Sequence, residues 1–239
     1  RSTLFPYTTL FRSGSWDFFR KMGAALRGLV KGFLTEGAAA AFIKLCRAGT
    51  PDAIAKAIRS GADVNARNKR GTTALMMAAN NPEPGIVLAL LEAGADVDAR
   101  TEDGLTALMY AARNPNPEIL SALLKSGADV NAGTNEGYTA LMAAAQYNSN
   151  PDAVMLLAGA GANVDAKDKG GLTALMWAAI YNSNPAVVTA FLEAGANVDA
   201  KSEDNATALM WAAAHNSNPA VVSSLLRAGA DLGARNEDG

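Results

Sequence analysis

The chain has 239 residues, of which 49% are apolar, and its 21 basic and 23 acidic side chains give a formal net charge of −2. This apolar fraction suffices for a packed core, and the charge lacks the strongly basic balance typical of nucleic-acid-binding proteins. One cysteine and one histidine exclude a disulfide framework, a two-cysteine two-histidine zinc site and a Cys-x-x-Cys site. We therefore expect a folded protein with neither a metal ion nor a cofactor.

Residues 1–13 resemble the translation of a short-read sequencing adapter. Like a cloning scar, such a run carries no information on fold or function. We accordingly expect the chain to be a fragment assembled from shotgun DNA, with its native start unknown.

Residues 14–41 are expected to form an N-terminal amphipathic helix or cap. Apolar residues recur at helical spacing and alternate with basic ones over this stretch: Trp16, Phe19, Met22, Leu26, Leu29, Val30 and Phe33. A helix that covers the apolar end of the next domain is the favoured interpretation, and attachment of residues 16–34 to an anionic membrane is the alternative. The alanines after Gly37 are expected to form a junction.

A nine-residue pattern, Gly-x-Thr-Ala-Leu-Met-x-Ala-Ala, recurs through the remaining chain. Its five copies open at Gly71, Gly104, Gly137, Gly171 and Asn205, at intervals of 33, 33, 34 and 34 residues. A fixed period of this length predicts stacked supersecondary units with one continuous core. A degenerate unit at 42–70 precedes the first copy. Gly239 stands where another copy would open, so we expect the array to be truncated at its C-terminal end.

Each copy contains signals for two helices and an extended finger. The threonine suits a helix N-cap, and a later Asn-Pro or Glu-Pro starts a second helix, as at Asn184-Pro185. A glycine such as Gly195 ends that helix, and the run Asn-Val-Asp-Ala leads into the next copy. Asn205 belongs to a glycosylation sequon, but we interpret it as the left-handed residue that replaces the usual glycine.

The opening Gly-x-Thr-x-Leu-x-x-Ala-Ala and the closing Gly-Ala-Asp-Val-Asn-Ala resemble the ankyrin repeat over residues 42–239. The resemblance implies an all-α solenoid of stacked helix-turn-helix units with β-hairpin-like fingers. Two departures stand out. Ala-Leu-Met replaces the usual Pro-Leu-His, and Asn-Ser-Asn-Pro replaces the usual glycine between the helices of the longer copies.

The resemblance also implies a non-catalytic, monomeric scaffold that binds a partner protein on a concave face built from finger tips and first-helix ends. Positions there that vary among the copies give the candidate contacts: Leu105, Arg113, Tyr138, Gln146, Tyr147, Leu172, Ile180, Tyr181 and His215. We expect the apolar members to face solvent, and His215 to be equivalent to Asn81, Asn114, Tyr147 and Tyr181. Arg100, Lys167 and Lys201 are expected to form a polar rim, whereas Met77, Tyr110, Trp177 and Trp211 are assigned to packing.

Two alternatives stay open at this stage. The array could be the regulatory or targeting part of a longer enzyme or secreted effector, or a membrane-associated adaptor acting through residues 16–34. Nucleic acid is disfavoured as a partner, because residues 42–239 contain 15 basic and 21 acidic side chains, a net charge of −6.

Overall fold

The computed structural model describes residues 37–237, which form an all-α solenoid without a sheet. The first helix, α1, spans 37–48 within the described part. Eleven further helices follow along it: α2 Pro51–Arg59, α3 Ala74–Ala78, α4 Pro84–Glu92, α5 Ala107–Ala112, α6 Pro117–Lys125, α7 Ala140–Tyr147, α8 Asp152–Gly159, α9 Ala174–Tyr181, α10 Pro185–Glu193, α11 Ala208–His215 and α12 Pro219–Arg227. The predicted fold class is confirmed.

The helices form two layers. In the inner layer α3, α5, α7, α9 and α11 pack in that order, and in the outer layer α2, α4, α6, α8, α10 and α12 do the same. Each repeat contributes one inner and one outer helix, so every repeat contacts mainly its neighbours.

Capping residues explain why the helices begin where they do. The Thr173 hydroxyl accepts from the backbone N–H of Met176, and the equivalent threonine caps each of the other inner helices from α3 to α11. Asn184 caps α10 by accepting from the N–H of Ala186, and Pro185 fills the first helical position. Of the outer-helix caps, Glu83 and Pro151 make no side-chain capping bond.

The core runs continuously through the layers. Leu175 and Met176 of α9 are fully buried, as is Phe191 of α10, and the same Leu-Met pair is buried in α3, α5 and α7. The Met176 sulfur also lies 3.5 Å from the backbone N–H of Thr173. A methionine in place of the family's histidine therefore fills the interface between repeats with an adaptable apolar side chain.

The fingers are hairpin-like turns rather than strands. In each, two backbone bonds close the turn: in one finger the Asp168 N–H donates to the Leu172 carbonyl at 3.1 Å, and the Gly171 N–H donates to the Asp168 carbonyl at 2.9 Å. Isolated antiparallel bridges occur in two of the described fingers. Asn205 has a φ of 60°, so the interpretation of this residue as a left-handed turn residue is confirmed.

Of the predictions for the N-terminal region, the structure tests only the junction after Gly37. The alanines after Gly37 belong to α1, so the expected junction is wrong. Alanine is the strongest helix former, and this run continues directly into the buried residues Phe42 and Ile43. The proposed adapter-derived run 1–13 and the amphipathic stretch 16–34 lie outside the described residues.

Candidate functional site

An asparagine in each complete repeat, buried in all but the last, ties the loop between its two helices to the preceding repeat. Asn182 donates from Nδ2 to the carbonyls of Ala145 and Asn148, both at 2.9 Å, and its Oδ1 accepts from the Asn184 N–H at 3.0 Å. Equivalent bonds are made by four other asparagines: Asn81, Asn114, Asn148 and Asn216. We call these five residues the asparagine ladder. Each satisfies at least three backbone groups of its own loop and of the preceding repeat.

The asparagine ladder locates the extra residue of the 34-residue repeats. The ladder residue is the second after the Ala-Ala pair in the 33-residue repeats and the third in the longer ones. The inner helix is correspondingly longer, with 5 and 6 residues in α3 and α5 but 8 in α7, α9 and α11. The predicted equivalence of Asn81 and Asn114 with the residues at these helix ends is therefore wrong. The extra position holds Tyr147, Tyr181 and His215.

These longer inner helices carry exposed aromatic residues at their ends. Tyr147 is 52% exposed and Tyr181 55% exposed. The Arg113 guanidinium carbon lies 4.1 Å from the centroid of the Tyr147 ring, in the geometry of a cation–π contact. The Trp177 and Tyr181 rings are stacked with an offset, at a centroid distance of 5.4 Å and an angle of 22°.

Half-buried groups hold the exposed rings in place. Tyr138 packs edge-to-face on Trp177, with 5.4 Å between centroids and 86° between ring planes. The Tyr138 hydroxyl donates to Gln146 Oε1 at 2.8 Å, and Trp177 Nε1 donates to Asp168 Oδ2 at 2.9 Å. We define the aromatic face as Arg113, Tyr138, Tyr147, Trp177 and Tyr181. Trp177 contacts both Tyr138 and Tyr181, and Arg113 contacts Tyr147, so these side chains are held in place before a partner binds.

Asp168 supports the aromatic face from a finger. Its Oδ1 accepts from the N–H groups of Gly170 and Leu172, both at 2.9 Å, while its Oδ2 accepts from Trp177. One carboxylate therefore fixes both the finger turn and the orientation of the tryptophan ring.

The next repeat has the same tryptophan without this acceptor. Trp211 stacks on His215 with 5.5 Å between centroids and an angle of 24°. Its Nε1 is buried and has no hydrogen-bond partner among the described residues. Ser202 holds the finger position of Asp168, and its hydroxyl accepts only from the Ala206 N–H at 3.2 Å. Its short side chain accounts for the unpaired indole N–H.

The nine candidate contacts divide into two groups. Four are exposed: Arg113, Tyr147, Tyr181 and His215. Five are half-buried: Leu105, Tyr138, Gln146, Leu172 and Ile180. Leu105, Tyr138 and Leu172 pack against the core, so the expectation that they lie on a solvent face is wrong. Each directly follows the opening residue of its repeat, where its side chain packs back onto the core.

The residues assigned to packing do pack against the core, but Trp177 is also part of the aromatic face. Met77, Tyr110, Trp177 and Trp211 are all half-buried. One sequence feature could have indicated this second role of Trp177. Asp168 is the charged residue at a finger position that the other repeats fill with neutral polar residues: Asn68, Thr101, Thr134 and Ser202.

The expected polar rim is largely engaged in contacts between fingers. Arg100 donates to the Gly133 carbonyl, and Lys167 Nζ donates to the Lys201 carbonyl at 2.7 Å. These bonds repeat across successive fingers, since Arg67 also donates to the Arg100 carbonyl at 3.3 Å. The side chains therefore tie neighbouring repeats together.

Burial raises the pKa of two side chains. Burial raises the pKa of the Cys46 thiol to about 12 and, with nearby Tyr147, also raises the pKa of the Tyr138 hydroxyl above its usual range. Both groups are therefore protonated near neutral pH. Cys46 is fully buried in the core, which confirms its interpretation as a small packing residue.

Residues 37–237 contain neither a metal-binding cluster nor a membrane-spanning helix. No group of three or more His, Cys, Asp or Glu side chains in this range is arranged to hold a metal ion. None of the helices in this range has the length and apolarity needed to cross a bilayer.

Comparison with known protein families agrees with this geometry. The model for ankyrin repeats in sets of three matches residues 22–134, 83–168 and 141–236. A search of curated proteins found no significant match. Ankyrin repeats are generally protein–protein interaction modules, and their fold is typically non-catalytic. Matched by the family over most of its length, and built from helix pairs and fingers at its period, the chain belongs to the ankyrin repeat family.

Proposed function

We propose that this chain is a non-catalytic scaffold that binds a partner protein through the aromatic face. The observation that carries the proposal is the extra residue in the longer repeats, which places Tyr147 and Tyr181 at the ends of α7 and α9, each about half exposed. The shorter repeats fold without this residue, so the fold itself does not require it. His215 occupies the same position in α11 and extends the surface.

The chemistry of the aromatic face suits a protein partner. Tyrosine, tryptophan and arginine are the residues that most often dominate the energetics of protein interfaces. Tyr181 stacks on Trp177 through one side of its ring and is otherwise widely exposed, so an apolar or cationic side chain of the partner can pack on it. Gln146 and Arg113 supply polar groups beside the rings.

The test compares proteins captured from a lysate of the source organism by the full chain and by a Tyr147→Ala/Tyr181→Ala variant. Both side chains are exposed, and neither makes a side-chain hydrogen bond within the described residues, so the substitutions should leave the fold intact. Tyr138 is left unchanged because its half-buried hydroxyl is hydrogen-bonded to Gln146. We expect at least one protein to be retained by the full chain and lost from the variant.

A matched control removes an exposed apolar side chain elsewhere. Leu226 of α12 is 39% exposed and lies in the outer layer, so Leu226→Ser should retain the same partner as the unaltered chain. Equal recovery by the double tyrosine variant, with both proteins equally helical by circular dichroism, would contradict the proposal. The partner's direct affinity for each purified variant then gives the size of the effect.

A further inference from the structure

The outer layer of helices contains an apolar groove, whereas the aromatic face lies on the inner layer. It lies over α6, between α4 and α8, with a volume of about 660 Å³. Leu88 and Met155 form its sides and are 47% and 45% exposed, while Ser121 and Ala122 form its floor. We call this the outer groove. Its volume falls within the usual range of binding pockets.

Comparison of the repeats shows that the fold does not require the apolar side chains of the outer groove. Leu88, Ser121 and Met155 occupy one position of the outer helix, and the equivalent residues in α10 and α12 are Thr189 and Ser223. The fold therefore accepts a small hydroxyl residue there. Large apolar side chains occupy the position on both sides of a serine, and the short serine leaves the space between them open.

Charges at the two ends of the outer groove have opposite signs. Glu118 and Asp152 line it at the N-terminal ends of α6 and α8, and Lys125 lines it at the C-terminal end of α6. Within residues 37–237 none of the three forms an ion pair. Glu118 and Lys125 are seven positions apart along α6, which corresponds to about 10 Å along the helix axis.

We propose that the outer groove binds an amphipathic α-helix of a partner protein, lying antiparallel to α6. The small floor residues let a helix approach closely, and Leu88 and Met155 pack against apolar side chains spaced three and four residues apart. Helices favour acidic residues in the first turn and basic residues in the last. A bound helical segment of about three turns matches this spacing: in the antiparallel orientation its basic last turn lies over Glu118 and Asp152, and its acidic first turn lies over Lys125.

The probe is a labelled amphipathic peptide of about 18 residues, long enough to form a marginally stable helix alone. It has leucines along one face, and its glutamates and lysines lie about seven residues apart in its central three turns, with the glutamates on the N-terminal side. A second peptide of the same composition has the two charge types exchanged. We expect the first peptide to bind the full chain and the exchanged peptide to bind at least about tenfold more weakly, as measured by fluorescence anisotropy.

Variants of the full chain locate the binding. Leu88→Ser with Met155→Ser uses the residue found at equivalent positions, so this variant should fold and should bind the first peptide at least about tenfold more weakly. Leu226→Ser and Tyr147→Ala/Tyr181→Ala should bind it like the unaltered chain, which separates this surface from the aromatic face. Thermal unfolding followed by circular dichroism checks that each variant is folded.

Three outcomes would overturn the proposal. The first is no binding of either peptide at about 1 mM, an affinity too weak for specific recognition. The second is unchanged binding by the Leu88→Ser/Met155→Ser variant, which would place the peptide elsewhere. The third is equal affinity for the two peptides, which would make the groove a non-specific apolar surface without the charge pattern that we infer.

Discussion

The repeats that open at Gly171 and Asn205 share the sequence Thr-Ala-Leu-Met-Trp-Ala-Ala but differ in how their tryptophans are held. Trp177 donates to Asp168, whereas the buried Nε1 of Trp211 has no partner among the described residues. The cause lies nine residues upstream, where one finger has an aspartate and the next a serine. In a repeat protein, the environment of an inner-helix residue is thus set partly by the finger that precedes it. Four pairs of substitutions test this comparison.

The largest expected effect comes from the asparagine ladder. Asn182→Ala removes three hydrogen bonds and leaves two carbonyls unpaired, which should lower the free energy of unfolding by about 3 kcal/mol. Asn216 makes the same kind of bonds in the next repeat but is only half-buried, so Asn216→Ala should cost about half as much. Urea unfolding followed by circular dichroism measures both. Equal losses would show that burial does not control the strength of the ladder.

The second largest difference in stability is expected for substitutions of the residues that open the two repeats. Gly171 has a φ of +73°, and an added Cβ would lie 2.6 Å from the backbone nitrogen of Glu203. Gly171→Ala should therefore cost about 2–3 kcal/mol through backbone strain and contact with the next finger. Asn205 already carries a Cβ at a φ of 60°, so Asn205→Gly should change stability by less than about 0.5 kcal/mol. A small loss for Gly171→Ala would mean that the fingers can separate at little cost.

Removal of the finger side chains Asp168 and Ser202 should give a smaller difference in stability. Asp168→Ala removes three hydrogen bonds at a partly exposed site and should cost about 2 kcal/mol, whereas Ser202→Ala removes one and should cost about 0.5–1 kcal/mol. Tryptophan fluorescence gives a second measurement, because only Asp168→Ala should change the environment of Trp177. Identical losses in the two variants would contradict the role given to Asp168.

Local signals in the sequence predicted most of the fold. Thr173 before an apolar run, Asn184 before a proline and Gly195 after the second helix each have a local physical reason to start or end a helix. Each of these signals repeats at a fixed period, so one correct interpretation applies to every copy. The structure therefore differs little from the prediction in the helices from α2 onward.

The site was harder to predict because it depends on contacts between distant residues. A one-residue insertion can be placed at several points of a polar loop, and only the carbonyls bound by Asn148 and Asn182 show that it extends the inner helix. The same holds for Trp177. Its position in the repeat predicts a core residue, and the sequence does not show its bond to Asp168 because that bond links the inner helix to the finger. Exposure at Tyr138 was also mispredicted, since its ring packs on a tryptophan of the next repeat.

The smallest expected effect is a gain in stability at the unpaired tryptophan. Ser202→Asp gives the second repeat the aspartate of the first, and its carboxylate can accept from Trp211 Nε1 while still accepting from the finger N–H groups. The new bond should raise the free energy of unfolding by about 1 kcal/mol. In a Trp211→Phe background an aromatic ring remains, although a smaller one, and the indole N–H donor is gone. The gain from Ser202→Asp should then fall to the part that arises within the finger. The difference between the two backgrounds, measured as a double-mutant cycle, isolates the tryptophan–aspartate bond. If the gain is the same in both, the aspartate acts on the finger turn alone, and the unpaired indole N–H of Trp211 costs the protein nothing.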